Sequence, residues 1–452
     1  MIRKGLLSAA IAALTLGSAA YAGDLATPPS ATASNAPAVP IFSNDVFQEA
    51  AHPVLMDDQT ATPAAAAPAP AAAPAAAPAA PQAPLMWGLD QIGLAKPLEN
   101  LNINIYGYIE GGYDWDFTEP KTPAPPRTAP NFILFDGDYR NEVMLNQLDL
   151  TIERTVDPTQ NKFDIGFRVE GLYGRDAAYI HSDGILDNGV KHHKTSPDDD
   201  LDLEQAYLTF AIPVGSGLEL TAGKFATLLG NETINPTTNA FYTHSYIFSW
   251  GIPFTQTGIL AKYNITNSLT IDAGFTRGWN ASTSDFNGAI DFLGELTWTV
   301  NDRLSATFNL SEGPQSTGDN HDYWTVIEGI GSFKVSDQLT LTADLLYGDA
   351  NAIAQWYAIA GYASYAFDKY FTGNLRAEFY HDGRGFTTGA DVTDTNFSEV
   401  TLGVGITPLP DNHLTSGLEI RPEIRLDTAD HGVFDGTKFT QVTAAVDAYW
   451  KF

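Results

Sequence analysis

Charged residues of both signs recur at two-residue spacing in this chain: Arg168 and Glu170, Arg376 and Glu378, and the run Glu419, Arg421, Glu423, Arg425. Lys262, Glu295, Glu328 and Asp344 stand in the same phase of their own stretches. Residues two apart on an extended chain share a face, so each stretch gathers its charge on one side. Such groups can pair and brace a wall, or line an aqueous passage as a ladder that selects ions. Covalent chemistry finds no support. The nine histidines are scattered, among them His181, His192, His193, His321 and His381, and none stands beside a serine in a nucleophile arrangement. His192-His193 with Asp198-Asp199-Asp200 matches no metal-ligand spacing and reads as a solvated charged loop. No enzyme, cofactor or metal site is expected.

The elements that must position these charges are strands. In the last stretch Thr440, Val442, Ala444, Val446, Ala448, Trp450 and Phe452 alternate with Gln441, Thr443, Asp447, Tyr449 and Lys451. The same alternation runs through Leu304 to Leu310, Leu339 to Tyr347 and Leu418 to Leu426. Segments of this kind start near 102, 143, 161, 202, 218, 253, 269, 289, 303, 323, 338, 353, 370, 396, 415 and 438. An ionised group facing hydrocarbon at the midplane costs about 2–4 kcal/mol, so charges kept in phase with the wet face suit a wall with lipid on one side. Short connections, such as Asp157-Pro158, Asn301-Asp302 and Asp368-Lys369, alternate with long polar ones at 117–141, 174–200 and 226–252. The expected fold is all-β: a 16-stranded antiparallel transmembrane β-barrel. A sheet of that width leaves an aqueous bore. The third long connection, with Glu232, Asn235, Asn239, Tyr242 and His244, has the hydrogen-bonding composition to narrow it.

Composition agrees. Asp plus Glu number 54 against 24 Lys plus Arg, for a net charge of −30. That balance excludes a nucleic-acid binder, which needs clustered positive charge, and favours cations instead. Arg3 and Lys4, the apolar run Leu6 to Leu16 and Ala20-Tyr21-Ala22 mark residues 1–22 as a cleaved signal peptide. Residues 23–100 are expected as a largely disordered periplasmic tether with an Ala/Pro tract from Thr60 to Pro84. Within it, Trp87, Leu89, Ile92 and Leu94 suggest a short helix at or inside the barrel mouth. The barrel takes 101–452.

Several linked motifs carry a resemblance. They are Leu203-Glu204-Gln205-Ala206-Tyr207-Leu208, Pro213-Val214-Gly215-x-Gly217-Leu218, Ala222-Gly223-Lys224-Phe225 and Leu229-Gly230-x-Glu232. Asn239-x-x-Tyr242-x-x-Ser245, Pro253-Phe254-x-x-x-Gly258 and Arg421-Pro422-Glu423-Ile424-Arg425-Leu426-Asp427 follow. In this order they resemble the β-barrel porin-2 family of OmpL-like outer-membrane proteins, over roughly 100 to 452. The resemblance implies an outer-membrane channel for passive diffusion of small hydrophilic solutes, and the acidity adds a cation preference. It also implies an inward third loop, with Glu232, Asn235, Asn239, Tyr242 and His244 at the constriction. Arg168, Glu170, Lys262, Glu328, Arg376, Glu378, Arg421, Glu423 and Arg425 would line the pore. Trp450 and Phe452 would form the membrane-insertion signal. Expected partners are outer-membrane lipid, the barrel-assembly machinery, small solutes and, as one option, two further copies in a homotrimer. One departure is Thr243-His244 before Ser245, where the pattern leads one to expect a basic residue; it leaves the charge of the constriction open. The alternatives are a channel specific for a sugar or an anionic nutrient, with Arg376, Arg421 and Arg425 as its basic track, and a structural or adhesive barrel.

Overall fold

The structure, a computed structural model, describes residues 83–117, 135, 143–185, 199–285, 287–351, 353–390, 394–434 and 437–452. The expected signal peptide, the Ala/Pro tract up to residue 82 and the His192-His193 segment lie outside them.

Sixteen strands close on themselves in sequence order. They are β1 (Ile103–Asp116), β2 (Val143–Arg154), β3 (Asp164–Gly174), β4 (Asp200–Ile212), β5 (Leu218–Ala226), β6 (Thr255–Thr266), β7 (Leu269–Thr276) and β8 (Asp291–Asn301). They continue with β9 (Leu304–Pro314), β10 (Tyr323–Lys334), β11 (Leu339–Ala350), β12 (Ala354–Ala366), β13 (Phe371–Asp382), β14 (Thr395–Ile406), β15 (Leu418–Ala429) and β16 (Thr440–Lys451). Every expected start falls within three residues of the observed one. Period-two alternation is strong here because each strand separates lipid from the barrel interior. The seam pairs β1 with β16 antiparallel. The terminal residue extends it: Gly107 donates its N–H to the carbonyl of Phe452 at 3.0 Å, and Phe452 donates to Gly107 at 2.8 Å.

Burial is inverted relative to a water-soluble protein. Ile259, Phe275, Leu402 and Ile424 face outward and are exposed, whereas Thr443, Asp447, Arg421 and Arg425 face inward and are buried. An apolar girdle around a polar interior is what a bilayer demands of a sheet with no free edge.

Two short helices, α1 (Pro84–Gln91) and α2 (Ala95–Glu99), precede the barrel. They occupy the end of the expected tether. Pro84 sits in the first turn of α1, where its missing N–H would be unpaired anyway. Trp87 meets the edge of His413 with ring centroids 5.8 Å apart, which places α1 at the short-turn end of the barrel.

The interior is furnished by loops. Trp279, Trp324 and Trp356 form a cluster with Phe386 and Phe397, with edge-on centroid distances of 5.4 Å and 6.0 Å along the three indoles. A second cluster joins Phe135, Leu172, Tyr179, Phe248 and Phe254. Gly112 of β1 is a glycine for steric reasons: a Cβ there would collide with the ring of Tyr242.

Candidate functional site: the third loop and the wall that holds it

Residues 227–254 leave β5, cross the bore and return to β6. Their backbone reaches the strands on the opposite side of the barrel, and charged wall residues receive it. On β10 and β11, Glu328 accepts the N–H of Gly230 at 2.8 Å and Asp344 accepts that of Asn231 at 3.3 Å. On β13, Glu378 accepts two successive amides, from Tyr246 at 2.6 Å and Ile247 at 2.7 Å. On β15, Glu423 accepts those of Tyr242 at 2.8 Å and Thr243 at 3.2 Å, and the hydroxyl of Thr243.

Three arginines treat the carbonyls in the same way. Arg376 donates to Thr243 O at 2.7 Å. Arg421 donates to Pro236 O at 2.7 Å and Asn239 O at 2.8 Å. Arg425 donates to His244 O at 2.5 Å. The wall therefore grips peptide groups, acids on N–H and arginines on C=O. Charge-assisted bonds of this kind are about twice as strong as neutral ones.

Each arginine is also ion-paired. Arg376 also meets Glu399 at 2.6 Å and Glu232 of the loop at 2.7 Å, and its guanidinium lies 4.9 Å over the ring of Phe241. Arg421 pairs with Asp447 at 2.6 Å and Glu110 at 3.0 Å. Arg425 pairs with Asp427 at 2.8 Å. All three are 0–1 % exposed. A buried cation keeps its charge only when it is paired and hydrogen-bonded, and each of these is.

All five expected constriction residues lie in this inward loop, in different roles. Glu232 is buried and accepts the Ser245 N–H at 2.7 Å besides pairing with Arg376. Asn235 caps a short turn at Pro236–Thr238 through Thr237 N at 2.9 Å. Asn239 donates to Thr233 O at 2.6 Å and to Nε2 of His244 at 3.1 Å. Tyr242 donates its hydroxyl to Asn146 at 3.2 Å. His244 stacks on Phe248 with centroids 3.8 Å apart. Burial drives its imidazole down to about 3, so it is neutral at pH 7. Burial works to raise Glu232, but Arg376 and the Ser245 amide outweigh it and hold the carboxyl below its usual range. The water-facing edge of the loop is Asn231, Asn235, Thr237, Thr238 and Asn239, which carries no charge.

Of the expected lining charges, Arg376, Glu378, Arg421, Glu423, Arg425 and Glu328 are thus packed against the loop. Glu170 is buried too, held by Arg168 at 2.8 Å, Gln205 at 2.6 Å and Thr151 at 3.0 Å. Lys262 differs. Its side chain is 48 % exposed and lies 3.8 Å from Asp272. It belongs to one inward row of directly opposed residues: Glu219, Lys262, Asp272, Glu295, Asn309 and Glu328, on β5 to β10 in order. Burial deepens along it, from the half-buried Glu219 and open Lys262 to Glu328 under the loop. Glu110 and Glu399, partners of the arginines from other strands, stand outside the expected lining set. The inward tryptophans were not expected either, although Trp324 stands in phase with Glu328.

A closed barrel of sixteen strands, apolar outside and narrowed by an inward third loop, defines an outer-membrane porin. The chain belongs to the family described as Putative beta-barrel porin-2, OmpL-like, whose profile matches residues 102–452. No curated protein matches it in sequence. Among solved structures it is similar to OmpF of Salmonella typhi in complex with daunomycin, at a TM-score of 0.54 and 11% identity, covering 78% of this chain and 99% of that one. An anion-selective porin from Comamonas acidovorans gives 0.52 at 12% identity, covering 77% and 99%. The outer-membrane channel DcaP of Acinetobacter baumannii gives 0.51 at 14% identity, covering 77% and 97%. At these identities the likeness is one of fold.

Proposed function

We propose that the barrel carries small hydrophilic solutes across the outer membrane by passive diffusion, with a preference for cations and no covalent step. The observation that carries this reading is the loop laid across the bore of a sixteen-stranded barrel and fixed there by wall charges. It narrows a passage that sixteen strands would otherwise leave wide. The cation preference rests on the part of the interior row outside the loop, where Glu219, Asp272 and Glu295 accompany one lysine; negative charge on a wall raises the local cation concentration. A basic track of Arg376, Arg421 and Arg425 for an anionic nutrient finds no support, since all three are buried and paired. Planar-bilayer recordings under a salt gradient test the proposal: reversal potentials of cationic sign are expected, and anionic sign overturns the preference. Liposome swelling across a solute series should show a size cutoff; saturation would favour a specific channel instead.

We place the subunit contact of a homotrimer on the outer face of β9 to β13. There Ala306, Gly331, Ala343, Gly361 and Ala377 are directly paired neighbours and flatten the wall. The mass of the detergent-solubilised protein by light scattering checks this, and a monomer refutes it.

A further inference from the structure

The structure assigns charge selectivity to the wall that the third loop leaves open, with Lys262 as the residue that limits the cation preference. This inference rests on the channel reading above.

Two observations separate Lys262 from the other inward charges. The arginines of β13 and β15 are sealed between wall and loop, each satisfied by carboxylates and carbonyls, so a passing ion meets their charge only after it has been neutralised locally. Lys262 has one ion-pair contact, at the long distance of 3.8 Å, and nearly half its side chain is in the open. Its neighbours across the ladder are Glu219 on one side and Asp272 on the other. Opposed residues on adjacent strands stand about 4.5–5.5 Å apart. Lys262 therefore sits inside a run of acids as its single exposed cation.

The loop itself adds no charge at its water-facing edge, where Asn231, Thr237 and Thr238 are exposed or half-buried. An ion entering the bore is sorted by the row on β5 to β8, and the lysine subtracts from a field that is otherwise negative. Rings and rows of charged side chains set selectivity in this way wherever they border the water of a pore. Lys334 and Lys451 are also inward and exposed, but they are the last residues of β10 and β16, at the short-turn rim of the wall. Arg168 is held by Glu170 and Glu153 at 2.8 Å and 3.8 Å. It is largely neutralised by them.

The chain has no cysteine, so Lys262→Cys creates a unique thiol. The full-length variant is reconstituted in planar bilayers, and reversal potentials are read before and after charged methanethiosulfonates are added. The anionic reagent is expected to raise the cation-to-anion permeability ratio, and the cationic one to restore the wild-type value. The two products should therefore give reversal potentials shifted in opposite directions from that of the unmodified cysteine. Ile259→Cys, on the outward face of the same strand, should give no shift. Should the cysteine variant fail to assemble, Lys262→Gln and Lys262→Glu supply the same charge series. A conducting channel whose reversal potential ignores the charge at 262 overturns this inference and leaves the channel reading standing. A wild-type barrel that does not conduct overturns both.

Discussion

Replacing Arg376 with methionine keeps much of the side-chain volume and removes the guanidinium. The loss is specific. Glu399 and Glu232 each lose an ion pair at 2.6–2.7 Å, Thr243 O loses its donor, and Phe241 loses the cation over its ring. Two buried carboxylates are left without their partner, and breaking a buried pair from one side costs about 3–5 kcal/mol. Glu399 stays on the wall, whereas Glu232 and Thr243 belong to the loop and can reach water if it lifts. The penalty therefore falls chiefly on the held state of the loop. At about 1.4 kcal/mol per tenfold, the ratio of held to released loop should drop by about two to three and a half powers of ten. In single-channel recordings Arg376→Met should flicker between conductance levels where the wild type is steady. Amides of residues 242–247 should exchange with deuterium correspondingly faster. Glu232→Gln removes the loop partner alone, and the double variant should lose much less than the sum of the singles, because the two residues share one interaction. An Arg376→Met channel with wild-type steadiness, exchange and thermal unfolding would refute the reasoning.

Acid should loosen the loop. Burial lowers His244 to about 3 from the ordinary imidazole value of 6.5 that it regains when released, so between those values the released loop binds a proton that the held loop does not. Its contribution is complete above pH 6.5 and falls towards pH 3, by up to about 1.4 kcal/mol per pH unit; the lowered Glu232 acts in the same direction below the ordinary glutamate value of 4.5. Exchange rates of the loop amides between pH 7 and pH 5 check this, and His244→Gln should flatten the dependence. Glu423→Gln should weaken the return limb by about 1–3 kcal/mol, seen as faster exchange at the Tyr242 and Thr243 amides with the barrel still assembled. Deleting Phe452 removes the last pair of the β1–β16 seam; the yield of heat-modifiable barrel on gels should fall, and an unchanged yield would show that the seam closes without it.

The barrel was legible because lipid on one face and polar groups on the other impose a period of two along every strand. The seam was legible from the final strand alone. The inward loop was legible in position and composition, but its manner of attachment was not. Alternation states which face Arg421 occupies, not what meets it there: Glu110 lies 311 residues away in sequence, and the Pro236 carbonyl 185. Charges that looked water-lining are therefore packed, since a loop from another part of the chain fills the space beside them. Trp324 shares the inward phase of Glu328 on β10, and Trp356 heads an inward face of β12 that continues with Ala358, Ala360 and Tyr362. Those inward positions were the available signal for an apolar cluster inside the bore, with Gly348 leaving space for the indole of Trp356.

Because the wall holds the loop by its peptide groups, most of the grip is indifferent to which side chains the loop displays. Glu378 binds the amides of residues 246 and 247, and Arg421 the carbonyls of 236 and 239, whatever those residues are, provided each amide position is not proline. The barrel is in this sense a chassis and the loop a replaceable insert. The exposed or half-buried positions 231, 237 and 238 can be rewritten with charge, bulk or an affinity group while the path of the chain stays put. The size of such a pore can be retuned at a few loop positions, separately from the charge row on the strands that carry it.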